Sequence, residues 1–403
     1  MRYLFSNRKF MLVWISGMAV MLGFSIFFLS ISWLTIDVLK NPGALGIIMT
    51  AVSLPRVVMM IFGGVLADRY QKTALMFYTN LGQAAIMGIM VYLYMTEGFS
   101  VPALLLISAC FGILDAISYP AISSLIPSLV KSSELQRANS LVQGSTELMF
   151  AAGPFLAGAL LSVGDFSVSF GTSGALILLS AILIFPPFIK DHKPDRKVLT
   201  LKSVLVDLKE GFRYVSASPV LRTGTLSIAI VNLFVMGPLI MSIPIIVGKL
   251  KGTPFDLSIM EGGLAAGTFA ASLLMLRLNK RGKRGRLVFR ALFMTGVAFL
   301  LYSQFDSIPL LALMAAISGF MLMLVYLPAV TLMQENSEQE KLGRVMSIMS
   351  LAAGGLEPIA FALLSVLVAA SIPIQYLIAG SAVLAILSSV MLYGKSKPFL
   401  KKE

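Results

Sequence analysis

The stretch Gly64-Val65-Leu66-Ala67-Asp68-Arg69-Tyr70-Gln71-Lys72 closes a long apolar run with an acid and two bases, and the chain turns apolar again directly after it. Charges placed in this way belong at a membrane surface, in a short loop that returns the chain to lipid. The rest of the sequence can be laid out from that loop.

Of 403 residues, 57% are apolar and only 13% charged, which excludes an ordinary soluble domain. About twelve apolar runs of roughly 18 to 28 residues are each long enough, as a helix, to cross a hydrocarbon core of about 30 Å. Their expected limits are 10–37, 44–67, 74–95, 101–126, 141–163, 167–189, 223–248, 256–276, 287–304, 308–333, 345–370 and 373–394. Period-two alternation is absent, so a barrel is excluded. The first run, from about Phe10, is too long for a cleavable signal and leads directly into further spans, so no leader is expected. The expected fold class is an all-α polytopic membrane protein with twelve transmembrane helices.

Assigning alternate loops to opposite sides places 28 of the 32 Lys and Arg on one side, with Lys40, Lys249 and Lys251 on the other and Arg56 inside a span. The positive-inside rule makes the rich side, which holds both termini, the cytoplasmic face of a cell inner membrane. The net charge of +13 is then mostly a topology signal with an attraction for anionic membrane lipids, and nucleic acid is not an expected partner. The single Cys110 and single His192 leave almost no material for a metal cluster or for Cys/His nucleophilic chemistry. No enzyme activity, metal or cofactor is expected.

The long polar connection 190–222 divides the chain into an N-terminal six-span unit, 1–189, and a C-terminal one, 223–403. Within the connection Leu201, Val204, Leu205, Leu208, Phe212 and Val215 recur at helical spacing opposite Lys202, Lys209 and Arg213. That pattern predicts an amphipathic helix on the cytoplasmic leaflet, or a solvated linker helix without a role of its own. The halves repeat: Pro120-Ala121 and Pro328-Ala329 stand 208 residues apart, and Arg137 and Arg344 stand 207 apart. Duplicated six-span units with a midplane site between them are a transporter architecture.

The loop residues Gly64, Leu66, Ala67, Asp68, Arg69 and Lys72 resemble the signature between helices 2 and 3 of the major facilitator superfamily of secondary transporters, departing from it at Gln71 and Thr73. Gly153-Pro154-Phe155-Leu156-Ala157-Gly158 resembles the helix-5 signature of its antiporter branches, with Met149 and Ala157 off the pattern. Asp115-Ala116, Pro120-Ala121, Arg137-Ala138-Asn139, Lys209 to Arg213 and Leu342-Gly343-Arg344 are most similar to the drug:proton antiporter branch containing macrolide-efflux and enterobactin-exporter proteins of bacteria.

The resemblance implies two pseudo-symmetric six-helix bundles and a monomeric transporter that needs no cofactor beyond an ion gradient. It implies a cytoplasmic gate from Gly64, Asp68, Arg69 and Lys72 with Arg137 and Arg344, the loop acid facing the start of helix 11. It gives Gly153, Pro154 and Gly158 as an antiporter kink, or as a packing kink without directional meaning. It also implies a substrate cavity lined by Trp33, Tyr119, Phe234, Met236, Met321 and Tyr326, whose flexible and aromatic side chains together suit several amphipathic shapes, although any one Met is more readily explained by lipid-facing or core packing.

Ionisable groups inside spans are costly and tend to be paired or functional. Arg56, Asp115 and Glu357 fall nearest the midplane by residue count; the family resemblance implies helix 2 set against helix 11, which makes an Arg56–Glu357 ion pair the first expectation, with Arg56–Asp115 second. Either pair could be a state-dependent lock or a neutralised bridge. Asp115, Glu147, Glu357 and Asp37 are the candidates for proton coupling, with Glu261 a weaker one; Asp115 could equally be a satisfied packing carboxylate. The base that some antiporter branches carry earlier in helix 4 is absent here, since span 4 has none before Lys131. The expected function is proton-driven export of small amphipathic compounds. The alternatives are a dedicated metabolite exporter, such as one for a siderophore, and a lipid flippase.

Overall fold

The computed structural model of the protein describes residues 2–131, 134–189, 201–277, 284–338 and 341–396. Among them twelve helices are long and apolar enough to cross a membrane. The chain divides into two compact units, Met1–Lys40 with Ala51–Leu201, and Asn41–Thr50 with Lys202–Glu403.

The helices of the first half are α1 (Arg2–Ser6), α2 (Arg8–Asp37), α3 (Pro42–Arg69), α4 (Lys72–Met95), α5 (Val101–Leu129), α6 (Leu135–Val163) and α7 (Phe166–Leu183). Their starts are read from side chains that satisfy the unpaired first-turn N–H groups. The Asn7 side chain accepts from the Phe10 N–H, Ser100 from Ala103 and Asp165 from Val168. Hydrogen bonds from the Ser167 hydroxyl at 2.5 Å and from the Val168 N–H hold the Asp165 carboxyl below the usual carboxylate range. The loop signature is almost wholly helical: α3 runs to Arg69, and only Tyr70 and Gln71 separate it from α4.

Small and hydroxylated residues join α2 to α7. Ser16 and Ser180 pair through their hydroxyls at 2.8 Å, Asn80 of α4 donates to Ser180 at 2.9 Å, and Ser30 meets Ser169 at 2.7 Å. The Ser173 hydroxyl donates to the Gly23 carbonyl, beside which a side chain at Gly23 would strike Ile177. With water excluded, short polar side chains of this kind hold helices close by packing and interhelical hydrogen bonds.

The second half contains α8 (Leu201–Ala217), α9 (Pro219–Val231), a π-helical turn (Asn232–Met236), α10 (Gly237–Lys249), α11 (Pro254–Arg277), α12 (Arg284–Tyr302), α13 (Ile308–Glu335), α14 (Leu342–Gly354), α15 (Glu357–Ala369) and α16 (Ile374–Lys395). Helices α11 and α13 approach backbone to backbone, since a Cβ at Gly263 would lie 2.6 Å from the Ala312 carbonyl and one at Gly267 or Gly319 closer still to the opposite chain. Asn41–Thr50 belongs to this unit: the Thr50 hydroxyl bonds the Pro358 carbonyl at 3.2 Å, and Ser365 donates to Gly43.

Three departures from the expected spans have local causes. Span 5 begins at Leu135 rather than near residue 141, because Leu135 to Ser140 continues the helix. Span 7 contains the π-turn, in which the Gly237 N–H bonds the Asn232 carbonyl; Pro238 has no N–H to extend the α-helical ladder there. Span 11 is two helices, α14 and α15, since Gly354 and Gly355 are poor helix formers and Pro358 lacks the N–H that would close on Gly354.

Candidate ion-coupling and substrate site

The first site residues are brought together by a glycine. At Gly112 of α5 a Cβ would collide with the Val52 carbonyl of α3, so the two backbones touch. One helical turn further along each helix stand Arg56 and Asp115, and the Arg56 Nε lies 3.0 Å from the Asp115 Oδ2. The structure thus gives Arg56 the partner placed second in the sequence reading. The first-placed partner, Glu357, lies in the other unit, as the opening residue of α15. Counting residues gives depth along a span; Gly112 supplies the close approach that decides the neighbour.

The pair is held without a well-aimed hydrogen bond. Asp115 Oδ2 is buried and receives no in-line donor, although the nitrogen is within ion-pair distance. The arginine side chain is 36% exposed and the carboxylate 18%. The Arg56 guanidinium carbon also lies 5.3 Å from the centroid of the Phe24 ring on α2. Phe24 is buried against Phe28 and Phe111, with centroid separations of 5.9 and 6.0 Å. Neither Phe24 nor Gly112 was singled out from the sequence. Gly112, three residues before an intramembrane acid, was the available signal.

The other acids separate clearly. Asp37 pairs with Lys40 at 3.0 Å in an exposed i,i+3 contact at the end of α2, the arrangement of an end-cap. Glu261 is half-buried on α11. The Glu147 side chain lies outside the described residues, as do those of Gly64, Asp68, Arg69 and Tyr119.

Of the remaining gate residues, Lys72 opens α4, and Arg137 pairs locally with Glu134 at 3.1 Å and is 62% exposed. Arg344 behaves differently: Glu210 of α8 meets it at 2.8 Å, and Gly211 packs against its Cβ. The Tyr214 hydroxyl accepts from the Glu338 N–H at 3.2 Å, and Lys341 lies 4.7 Å over the Tyr214 ring. Val215 is buried with Val345, Ile348 and Met349. The linker helix is therefore clasped to the start of α14, which composition alone did not reveal.

The kink residues have a packing account. Pro154 has no N–H to offer the Phe150 carbonyl, and the Ser25 hydroxyl of α2 donates to that carbonyl instead, at 3.0 Å. Gly153 leaves the room, since a Cβ there would overlap the Ser25 side chain. Gly158 is buried and accepts from Ser162 at 2.7 Å.

Among the cavity candidates, Trp33 is buried at 5% exposure, Phe234 and Met236 are half-buried in the π-turn, and Met321 and Tyr326 pack against the core of the second unit. The positions 207 and 208 residues after Asp115 are Leu322 and Met323, so the ion pair has no counterpart acid in the second half of the repeat. Among the described residues no group of three or more His, Cys, Asp and Glu could hold a metal ion.

A model of the Major Facilitator Superfamily matches residues 13–356 and, again, 225–403. The chain is 24% identical over 342 residues to the multidrug efflux pump Tap of Mycolicibacterium fortuitum, with 81% of each chain covered. It is 25% identical over 361 residues to macrolide efflux protein A of Streptococcus pyogenes, with 85% of this chain and 86% of the relative covered. Among solved structures, a bacterial homolog of the human lysosomal transporter Spinster, inward-facing and unoccupied, gives a TM-score of 0.74 at 15% identity over 99% of each chain. At that identity the likeness is one of fold.

Proposed function

Because the chain belongs to the Major Facilitator Superfamily, we propose that it is a proton-driven exporter of small amphipathic compounds working by alternating access, with Asp115 as the carboxylate at which proton and cargo exchange. The observation that carries this reading is the Arg56–Asp115 pair, a charge pair inside candidate membrane spans beside a backbone-close helix contact. Intramembrane carboxylates are costly unless paired or used. A carboxylate accepts either a proton or a cation, and exchange follows when the two occupy it in turn.

Both termini and the basic loops face the cytoplasm in this reading, in the inner membrane of a bacterial cell, where anionic lipids meet them. The protein acts as a monomer, without cofactor or nucleic acid. One charge moved through 100 mV supplies about 2.3 kcal/mol, which sustains roughly a fiftyfold concentration ratio.

The test is uptake of a fluorescent lipophilic cation into proteoliposomes under an imposed pH gradient, comparing the protein with Asp115→Asn. Uphill transport that disappears in Asp115→Asn, together with cation binding that is weakened and no longer opposed by protons, supports the assignment. Undiminished uphill transport in the variant removes Asp115 from the coupling role.

A further inference from the structure

We infer that the cargo recognised at this site is a planar, charge-delocalised monocation that displaces the Arg56 guanidinium and takes over its two contacts, an N–H edge on the Asp115 carboxylate and its charge over the Phe24 ring. The inference rests on the exporter reading above and adds the chemical class of the substrate.

A site already holding a ligand-like group displays what fits it. Arg56 touches two partners among the described residues: Asp115 Oδ2 at 3.0 Å through Nε, and Phe24, with 5.3 Å from the guanidinium carbon to the ring centroid. A guanidinium is flat, spreads its charge and offers N–H groups only at its edge. The carboxylate and the ring are set for those properties: the acid is 18% exposed and the Phe24 side chain 6%, backed by Phe28 and Phe111. The resident cation is also displaceable. Its contact to Oδ2 lacks an in-line hydrogen bond, and it is the more exposed member of the pair.

No second charge competes with it from most of the neighbouring helices. Helix α2 carries no charged residue between Lys9 and Asp37, α3 only Arg56 between Lys40 and Asp68, and α4 none between Lys72 and Glu97. Helix α6 carries only Glu147 between Arg137 and Asp165, and α5 itself adds the titratable but neutral Cys110 and Tyr119. The titratable groups on α4 are Tyr78, Tyr92 and Tyr94.

An amidinium, a guanidinium or an aromatic N-heterocyclic cation can copy both contacts. A cation wrapped in four bulky substituents cannot present an edge to the carboxylate. Arg56 is then a positioning residue, an internal competitor that occupies the Asp115 carboxylate when cargo is absent.

The experiment measures binding of ethidium, a planar cation, and of tetraphenylphosphonium, a globular one, to the full chain in nanodiscs of phosphatidylcholine and phosphatidylglycerol across pH 5.5 to 8.5. Ethidium is expected to bind about tenfold more tightly, the size of a good cation–π contact. Phe24→Leu should remove that preference while leaving tetraphenylphosphonium unchanged. Arg56→Gln should tighten ethidium binding, because it removes the resident cation that competes for the carboxylate. Arg56→Lys, which keeps the competing charge, should restore the weaker ethidium binding of the unmodified protein.

Equal affinity for the two cations, a Phe24→Leu effect on both alike, or weaker ethidium binding in Arg56→Gln would each overturn the inference. If Arg56→Gln does not fold, the Phe24→Leu comparison decides alone. Gradient-driven uptake of both cations at equal rates leaves export standing and removes the cargo class. Selective, pH-competitive ethidium binding without gradient-driven uptake upholds the cargo class and removes antiport.

Discussion

Gly112 of α5 sits against the Val52 carbonyl of α3 with no room for a side chain, and the Arg56–Asp115 pair lies one turn beyond that contact. Gly112→Ala is therefore expected to separate the two helices locally. The cost should be roughly 1 to 3 kcal/mol, the range for overpacking a close contact. Thermal unfolding in detergent would read the stability loss, and pH-driven transport would fall with it. A variant as stable and as active as the parent would mean that α3 and α5 are further apart than described.

Ser25 supplies the hydrogen bond that Pro154 denies to the Phe150 carbonyl, and Gly153 makes space for it. Ser25→Ala should destabilise the protein by about 1 kcal/mol through loss of that bond. Gly153→Ala should cost more, by steric overlap. The double variant Ser25→Gly with Gly153→Ala should recover part of the loss, measured as a non-additive shift in melting temperature. Strict additivity would show that the two residues do not share a contact.

Glu210 and Arg344 form an exposed pair at 2.8 Å, so Glu210→Gln should change stability by less than about 1 kcal/mol. The buried clasp around Gly211 and Val215 holds α8 to α14 in its absence. A disulfide between Glu210→Cys and Arg344→Cys, made in a Cys110→Ser background, should leave transport intact, because the two helices already belong to one body. Inhibition reversed by reductant would show that α8 must part from α14 during turnover.

Asp165 caps α7, and its hydrogen bonds from Ser167 and Val168 lower its proton affinity in the folded state. The stabilisation it provides is therefore present above the unfolded carboxylate range and is lost as pH falls through the lower, folded value. Asp165→Asn keeps a capping oxygen and removes the titration. The parent should lose melting temperature on acidification by more than Asp165→Asn does. Identical acid profiles would remove the cap from the pH response.

Twelve spans were legible because lipid demands long apolar helices, and that demand is written in composition. Azimuth around a helix is not. Arg56 was recognised as a charge within a span, but choosing between Glu357 and Asp115 needed the close approach at Gly112. The amphipathic pattern from Leu201 predicted the helix α8, whereas its partner surface on α14 depends on contacts far apart in sequence. Proline and glycine at 354, 355 and 358 mark the interruption in span 11, yet average hydropathy runs straight across them. Trp33 was read as cavity-lining from residue type; the structure adds that it is buried, at 5% exposure.

The π-helical turn Asn232–Met236 has a consequence for how this chain should be aligned and edited. Such a turn accommodates one residue beyond what α-helical winding requires, so the faces before and after it are out of step by one position. Relatives lacking the turn should align here only across a single-residue gap, and ungapped comparison would misassign every residue of span 7 on one side of it. By the same geometry, a one-residue deletion between 232 and 236 should be absorbed by rewinding to an ordinary helix. The same deletion in the uninterrupted α13 would swing the remainder of that helix by about 100°.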